Sequence, residues 1–164
     1  MNDTCRDIML TSPIVLRPDQ TLLEALNTIH NIGVRYLPVV DEEGNFVGIF
    51  SSLTLLRLLL PQALSIGMGK KPVDLNFMRT SVEELRERLA SRSTETISRH
   101  IIKEDIPTLT PESSIMEAIH LLHAHHAHVI ITAAADSRKF VGIVTINGLL
   151  NHILQNNPLT SDYA

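Results

Sequence analysis

The chain is written twice, and this internal duplication limits its fold more than any other feature. Arg35 to Leu56 reads RYLPVVDEEGNFVGIFSSLTLL, and a looser copy runs from His128 to Leu150 as HVIITAAADSRKFVGIVTINGLL. In each copy an apolar run meets a polar turn, a second apolar run closes on Gly-Ile, and a hydroxyl residue follows: Gly48-Ile49-Phe50-Ser51 and Gly142-Ile143-Val144-Thr145. Upstream, Pro18 to Leu26 lies on Pro111 to Ile119 with an offset of 93 (111 − 18), which becomes 94 past the turns (142 − 48). A one-residue slip inside a turn is what two copies of one supersecondary unit tolerate.

Local signals give each copy the same order of elements. Ile14-Val15-Leu16 reads as a short extended segment, and Thr21 caps a helix whose apolar stripe is Leu22, Leu26, Ile29 and Ile32, ended by Gly33. Arg35 to Val40 is a strand; Pro38 cannot donate to a ladder, so the strand is expected at an edge or irregular there. Asp41 to Asn45 form a hairpin turn, Phe46 to Phe50 return, and a helix opens around Ser51 and stops at Pro61. The second copy repeats this with Ile106 to Leu109, a cap at Ser113 or Ser114, and a helix carrying Ile115, Ile119 and Leu122. The strand His128 to Thr132, a turn at Asp136-Ser137, the strand Phe140 to Val144 and a helix to about Leu154 complete it. Between the copies, Gly67, Gly69 and Pro72 mark a loop, and Ser81-Val82-Glu83-Glu84 starts a capping-box helix running to about Arg92. The boundaries expected are therefore 1–60, a linker 61–96 with its helix, 97–155, and a flexible tail 156–164.

Composition decides what surrounds this unit. At 164 residues and 44% hydrophobic the chain can pack a core. Its formal charge of −4, with no basic cluster longer than Lys70-Lys71, argues against nucleic acid. The greasiest stretch, Leu53 to Leu60, is interrupted by Arg57 and stopped by Pro61, and the first residues lack a basic-then-apolar signal, so we expect a cytoplasmic protein without membrane insertion. The single cysteine, Cys5, can make neither an internal disulfide nor a cysteine metal cage, and it falls in a stretch expected to be mobile.

The strand ending Leu37-Pro38-Val39-Val40-Asp41 and the Gly48-Ile49-Phe50-Ser51 step, repeated in part by Gly142-Ile143-Val144-Thr145, resemble the CBS domain, named for cystathionine β-synthase. Two in tandem resemble a Bateman module. The resemblance implies an α/β (α+β) fold of two β-α-β-β-α repeats packed about a pseudo-twofold axis. It further implies a stand-alone, non-enzymatic regulatory module that binds AMP, ADP, ATP or S-adenosylmethionine in clefts between the repeats, requires no cofactor, forms a homodimer and signals to an unidentified partner protein. A ligand-free interaction module is the alternative.

The residues expected at the first cleft are Ile14, Arg35, Tyr36, Leu37, Pro38, Ser51 and Thr54, and at the second Ile106, His126, His128, Val129, Ile130 and Thr145. Ser51 and Thr145 would each set a hydroxyl beside unpaired amides at a helix start, suited to phosphate, while the prolyl strand and its counterpart hold a base. Arg35 is placed to reach a phosphate. Family members that bind ligand carry Asp three residues after the hydroxyl, for the ribose; here those positions are Thr54 and Gly148, which ranks the first cleft above the second.

The run His123-Ala124-His125-His126-Ala127-His128 has spacings that can present imidazoles to a metal. It straddles a helix end and a strand start, so successive side chains diverge and no Cys or carboxylate joins them; no metal site is expected. His126 and His128 are instead candidates for phosphate contact, against the plainer reading of helix-end surface histidines. No Gly-rich phosphate loop, nucleophile elbow or carboxylate pair appears.

Overall fold

The computed structural model describes residues 3–61 and 74–156; the expected loop at Gly67, Gly69 and Pro72 and the tail from 157 lie outside them. In chain order the described elements are α1 (Cys5–Ile8), α2 (Leu22–Ile32), β1 (Tyr36–Val40), β2 (Phe46–Ser51), α3 (Leu53–Leu59), α4 (Val82–Ala90), a 3-10 turn (Ile97–Arg99), β3 (Thr108–Leu109), α5 (Ile115–His125), β4 (Val129–Thr132), β5 (Phe140–Val144) and α6 (Ile146–Asn156). The mixed α/β pattern is the one read from the duplication. Among the described residues no helix is long and apolar enough to cross a membrane.

The chain divides into two compact units. The first-copy unit gathers residues 16–39 and 49–102, and the second-copy unit gathers 1–15, 40–48 and 103–164. In the first-copy unit, Thr21 and Glu24 form a reciprocal capping box, each side chain accepting from the other's backbone N–H, and Gly33 ends α2 at φ 82°, a left-handed angle that glycine adopts without cost. The buried face of α2 is Leu22, Ala25 and Ile29, while Ile32, placed in the stripe by its spacing, is 40% exposed. Leu16 donates its N–H to the Pro38 carbonyl as a single parallel bridge to Val39. Backbone groups alternate sides along a strand, so the N–H that Pro38 lacks falls on the side where pairing is one isolated bridge and not on the β2 side.

The turn after β1 is fixed by Asp41, whose Oδ1 accepts from Asn45 N–H (2.8 Å) and Glu43 N–H (3.0 Å); these donors, Asn45 first, hold its carboxyl below the usual range. The linker helix α4 is capped by Ser81, but its Glu84 carboxylate takes the Thr80 hydroxyl (2.8 Å), and no residue of α4 is buried. It ends at Ala90, short of Arg92.

The second-copy unit is built on the sheet β3-β4-β5, with β3 parallel to β4, β4 antiparallel to β5, and a register shift between Ile131 and Thr132. Its core is Cys5, Ile8, Ala118, Leu122, Val129, Ile131 and Val144. Ser114 and Glu117 repeat the capping box, and Ala118 takes the buried place corresponding to Ala25; Ile119, expected in the stripe, lies at its margin, 36% exposed.

The N-terminal stretch is the main departure from expectation. It is no mobile lead-in: Thr4 and Asp7 cap α1, Cys5 is fully buried and donates its N–H to Ser113 O (2.8 Å), and Leu10 exchanges both backbone hydrogen bonds with Ile143 (2.8 and 3.1 Å). Burial pushes the Cys5 thiol pKa up, and the Glu117 carboxylate adds to this, so the cysteine behaves as a small apolar core residue. Gly142 makes the approach feasible, because a Cβ there would collide with the Leu10 carbonyl.

Candidate functional site

In the first-copy unit the step from β2 to α3 concentrates polar atoms in an apolar setting. Ser51 is the last residue of β2 and does not open the helix; it is 5% exposed and its Oγ accepts from Leu53 N–H at 3.1 Å. Ser52 occupies the cap position of α3 with no side-chain hydrogen bond, and its N–H reaches the Arg35 carbonyl at 2.7 Å, drawing the start of β1 to this junction. Leu37 and Pro38 are buried, Tyr36 half-buried, and the Arg35 side chain exposed. Ile14 is 55% exposed and belongs to the other unit. Thr54, on the first turn of α3, is 2% exposed, and its Oγ1 has no hydrogen-bond partner among the described residues. A buried hydroxyl left unsatisfied costs about 1–3 kcal/mol.

A second buried atom of the same unit lacks a partner among the described residues: Nε2 of His100. This residue was not singled out in the sequence. It ends the 3-10 turn, and Ile102, two residues later, exchanges backbone hydrogen bonds with Ile49 of β2 (2.9 and 2.8 Å). Burial pushes the His100 pKa down, Glu95 opposes this, and Arg92, Arg99 and Arg57 add to it. A signal did exist in the duplication. Continued upstream with an offset of 92 (97 − 5), it lays Ile97 on Cys5, both fully buried, and His100 on Ile8.

At the corresponding step in the second-copy unit, Thr145 caps α6: its Oγ1 accepts from Gly148 N–H at 2.8 Å. A Cβ on Gly148 would stand 2.9 Å from the Ile8 carbonyl oxygen and 3.2 Å from Thr145 Oγ1. The position that holds a ribose-binding carboxylate in the family pattern is therefore closed by the backbone of α1. Replacing Gly148 by Asp should create no ribose site; it should lower stability by about 1–3 kcal/mol, measured by chemical denaturation, because Ile8 backbone must move.

The remaining sequence-predicted residues of this copy divide. Val129 turns its side chain into the core, and Ile130, 1% exposed, has its N–H taken by the Pro107 carbonyl (2.9 Å), so neither offers the open base-binding edge expected of them. Ile106 is half-buried. His126 is exposed and caps α5 in the left-handed region at φ 51°, the place Gly33 takes in α2. Its ring lies 6.1 Å from that of His123, and both line a pocket of about 350 Å³ with Ile119, Leu122, Ile146 and Leu149. His128 is half-buried, and burial lowers its pKa. Among the described residues no three His, Cys, Asp or Glu side chains gather where they could hold a metal ion.

Two copies of a strand-turn-strand-helix unit, each ending in a buried or capping hydroxyl, define a tandem repeat module. The chain belongs to the CBS domain family, whose pattern matches residues 5–61 and again 97–155. It is 26% identical over 153 residues to the A-adding tRNA nucleotidyltransferase of Aquifex aeolicus, covering 92% of this chain and 14% of that protein. It is 38% identical over 55 residues to an uncharacterised protein of Methanocaldococcus jannaschii, which is 34% of this chain and 33% of that one. The matched stretches thus amount to a third or less of these curated relatives. Among solved structures, CBSX2 in complex with AMP superposes with a TM-score of 0.65 at 20% identity, covering 94% of this chain and 98% of that one, and the CBS-pair protein CBSX2 of Arabidopsis thaliana with a TM-score of 0.68 at 18% identity, covering 95% of this chain and 97% of that one.

Proposed function

We propose that this chain is a regulatory module that binds an adenosyl ligand, AMP foremost, at the β2–α3 step of its first copy, and conveys occupancy to a partner protein rather than carrying out a reaction of its own. The observation that carries the reading is the buried Thr54 hydroxyl, without a partner among the described residues, three residues beyond the buried Ser51. A ribose hydroxyl would supply the missing hydrogen bond, and Tyr36, half-buried at the start of β1, gives an aromatic flank for the base. The AMP complex of the CBSX2 structure supports the ligand class. For occupancy to become a signal, the ligand must bind one conformation of the module more tightly than another. Calorimetric titration with AMP, ADP, ATP and S-adenosylmethionine tests this. Saturable binding of AMP that is weakened by Ser51→Ala is expected; flat titrations with all four at millimolar concentration would refute the reading.

A second reading concerns assembly and complements the first. Exposed apolar residues recur at matching places in the two copies: Leu53, Leu56 and Leu60 on and after α3, and Ile146, Leu150, Ile153 and Leu154 on α6. Leu56 corresponds to Leu150 and Leu60 to Leu154, both at offset 94 (150 − 56, 154 − 60). Next to this face of α6, Leu149 is already packed on the core. A second copy of the chain, presenting the same residues, would cover these faces, making the module a homodimer.

A further inference from the structure

We propose that His100 completes the ligand site of the first copy, its Nε2 and the Thr54 hydroxyl sharing the two hydrogen bonds of a ribose vicinal diol that a single carboxylate accepts in other members of the family. The inference rests on the adenosyl reading above and adds to it a residue and a division of labour. These two atoms are the buried side-chain polar atoms without a hydrogen-bond partner among the described residues, and both belong to the first-copy unit.

The repeat brings the backbones that carry them to one place. In the second-copy unit, the pairing of Leu10 with Ile143 brings the Ile8 carbonyl against Gly148, 2.9 Å from where a Cβ would stand. In the first-copy unit, Ile102 pairs with Ile49 in the same antiparallel manner. Ile102 corresponds to Leu10 and His100 to Ile8, both at offset 92 (102 − 10, 100 − 8), while Thr54 corresponds to Gly148 at offset 94 (148 − 54). The same step of the fold therefore brings the His100 backbone to the Thr54 position, from which its ring can turn toward the hydroxyl. Consistent with this, Arg57, one helical turn beyond Thr54, is among the charges acting on His100.

The chemistry fits a diol. A neutral imidazole protonated on Nδ1 presents Nε2 as an acceptor, and the threonine oxygen accepts as well, so two neighbouring hydroxyl donors find one acceptor each. A carboxylate does this with two oxygens on one side chain. Here a histidine from the turn before β3 and a threonine from α3 take one each, without placing a negative charge in the site. A vicinal diol meets both atoms as acceptors at once, which a phosphate, having no hydrogen to donate when ionised, does not.

The test compares AMP with 2′,3′-dideoxyadenosine monophosphate by calorimetry on the full chain. The wild type should bind AMP about tenfold or more tightly than the dideoxy analogue. Thr54→Val and His100→Leu should each weaken AMP about tenfold and leave the analogue unchanged, and His100→Gln, which keeps an acceptor, should recover part of the loss. AMP binding with no preference over the analogue, or variants that weaken both nucleotides equally, would overturn the role of His100 and Thr54 while leaving the adenosyl reading in place. No binding of either nucleotide by the wild type would overturn both. Should His100→Leu fail to melt cooperatively, the wild-type comparison and Thr54→Val decide alone.

Discussion

Leu150→Asp should halve the solution mass of the protein, from twice the 18.3 kDa of the chain to that of a single copy. Leu150 is 45% exposed on α6, with Ile146 (58%) and Ile153 (48%) one turn before and after it. Three apolar side chains in a row on a helix whose neighbouring Leu149 already packs against the core form a contiguous patch that water covers poorly. If a second copy covers it, a carboxylate at its centre must either be buried unpaired or hold the surfaces apart. Losing one central apolar anchor typically costs about 2–4 kcal/mol of association, about 30-fold or more in Kd. Light scattering coupled to size exclusion reads the change. Leu56→Asp, at the matching position of the first copy, should act the same way. A wild type that elutes as a single copy would end the assembly reading.

Thr54→Val should separate stability from binding. The substitution keeps the shape and removes the one polar atom of a side chain that is 2% exposed and has no partner among the described residues. Relief of an unsatisfied hydroxyl is worth about 1–3 kcal/mol, and for a chain of this size each kcal/mol raises Tm by about 2–4 °C. The ligand-free variant is therefore expected to melt several degrees higher than the wild type while binding AMP about tenfold more weakly. A gain of stability at the expense of ligand marks a residue kept for its contact, since a purely structural threonine would lose on both counts. A lower Tm on removing the hydroxyl would show that Thr54 is already satisfied in the folded protein.

What could be read in advance follows the range of the forces involved. Thr21 with Glu24, Ser114 with Glu117, Gly33 and the Asp41 turn are short-range devices, each set by residues within four positions, and all are legible in the sequence. The helix stripes were legible only in outline. The buried faces run Leu22-Ala25-Ile29 and Ala118-Leu122, because a small alanine lets the helix approach its sheet closely, and this leaves Ile32 exposed and Ile119 at the margin. Ser51 was assigned to the helix start because a hydroxyl before an apolar run resembles a cap; the strand in fact continues through it, and the side chain folds back to accept from Leu53.

The residues that were not legible depend on distant partners. Cys5 looks like an idle N-terminal thiol until Ser113 and the core around Val144 are placed beside it, and Gly148 looks like a lost carboxylate until the Ile8 carbonyl stands in its way. His100 drew no notice because a single histidine in a polar stretch carries no local pattern; its meaning lies in matching Ile8 of the other copy.

The burial of α1 also sets a timetable for the chain as it is made. Cys5 meets Ser114, 109 positions later, and Leu10 waits for Ile143. During synthesis the first copy leaves the ribosome with its opening residues still unmatched, and they remain exposed until nearly the whole of the second copy has followed. Completion of this fold waits for β5, so a stall or truncation anywhere before β5 would leave the apolar side of α1 uncovered for chaperones and proteases to find.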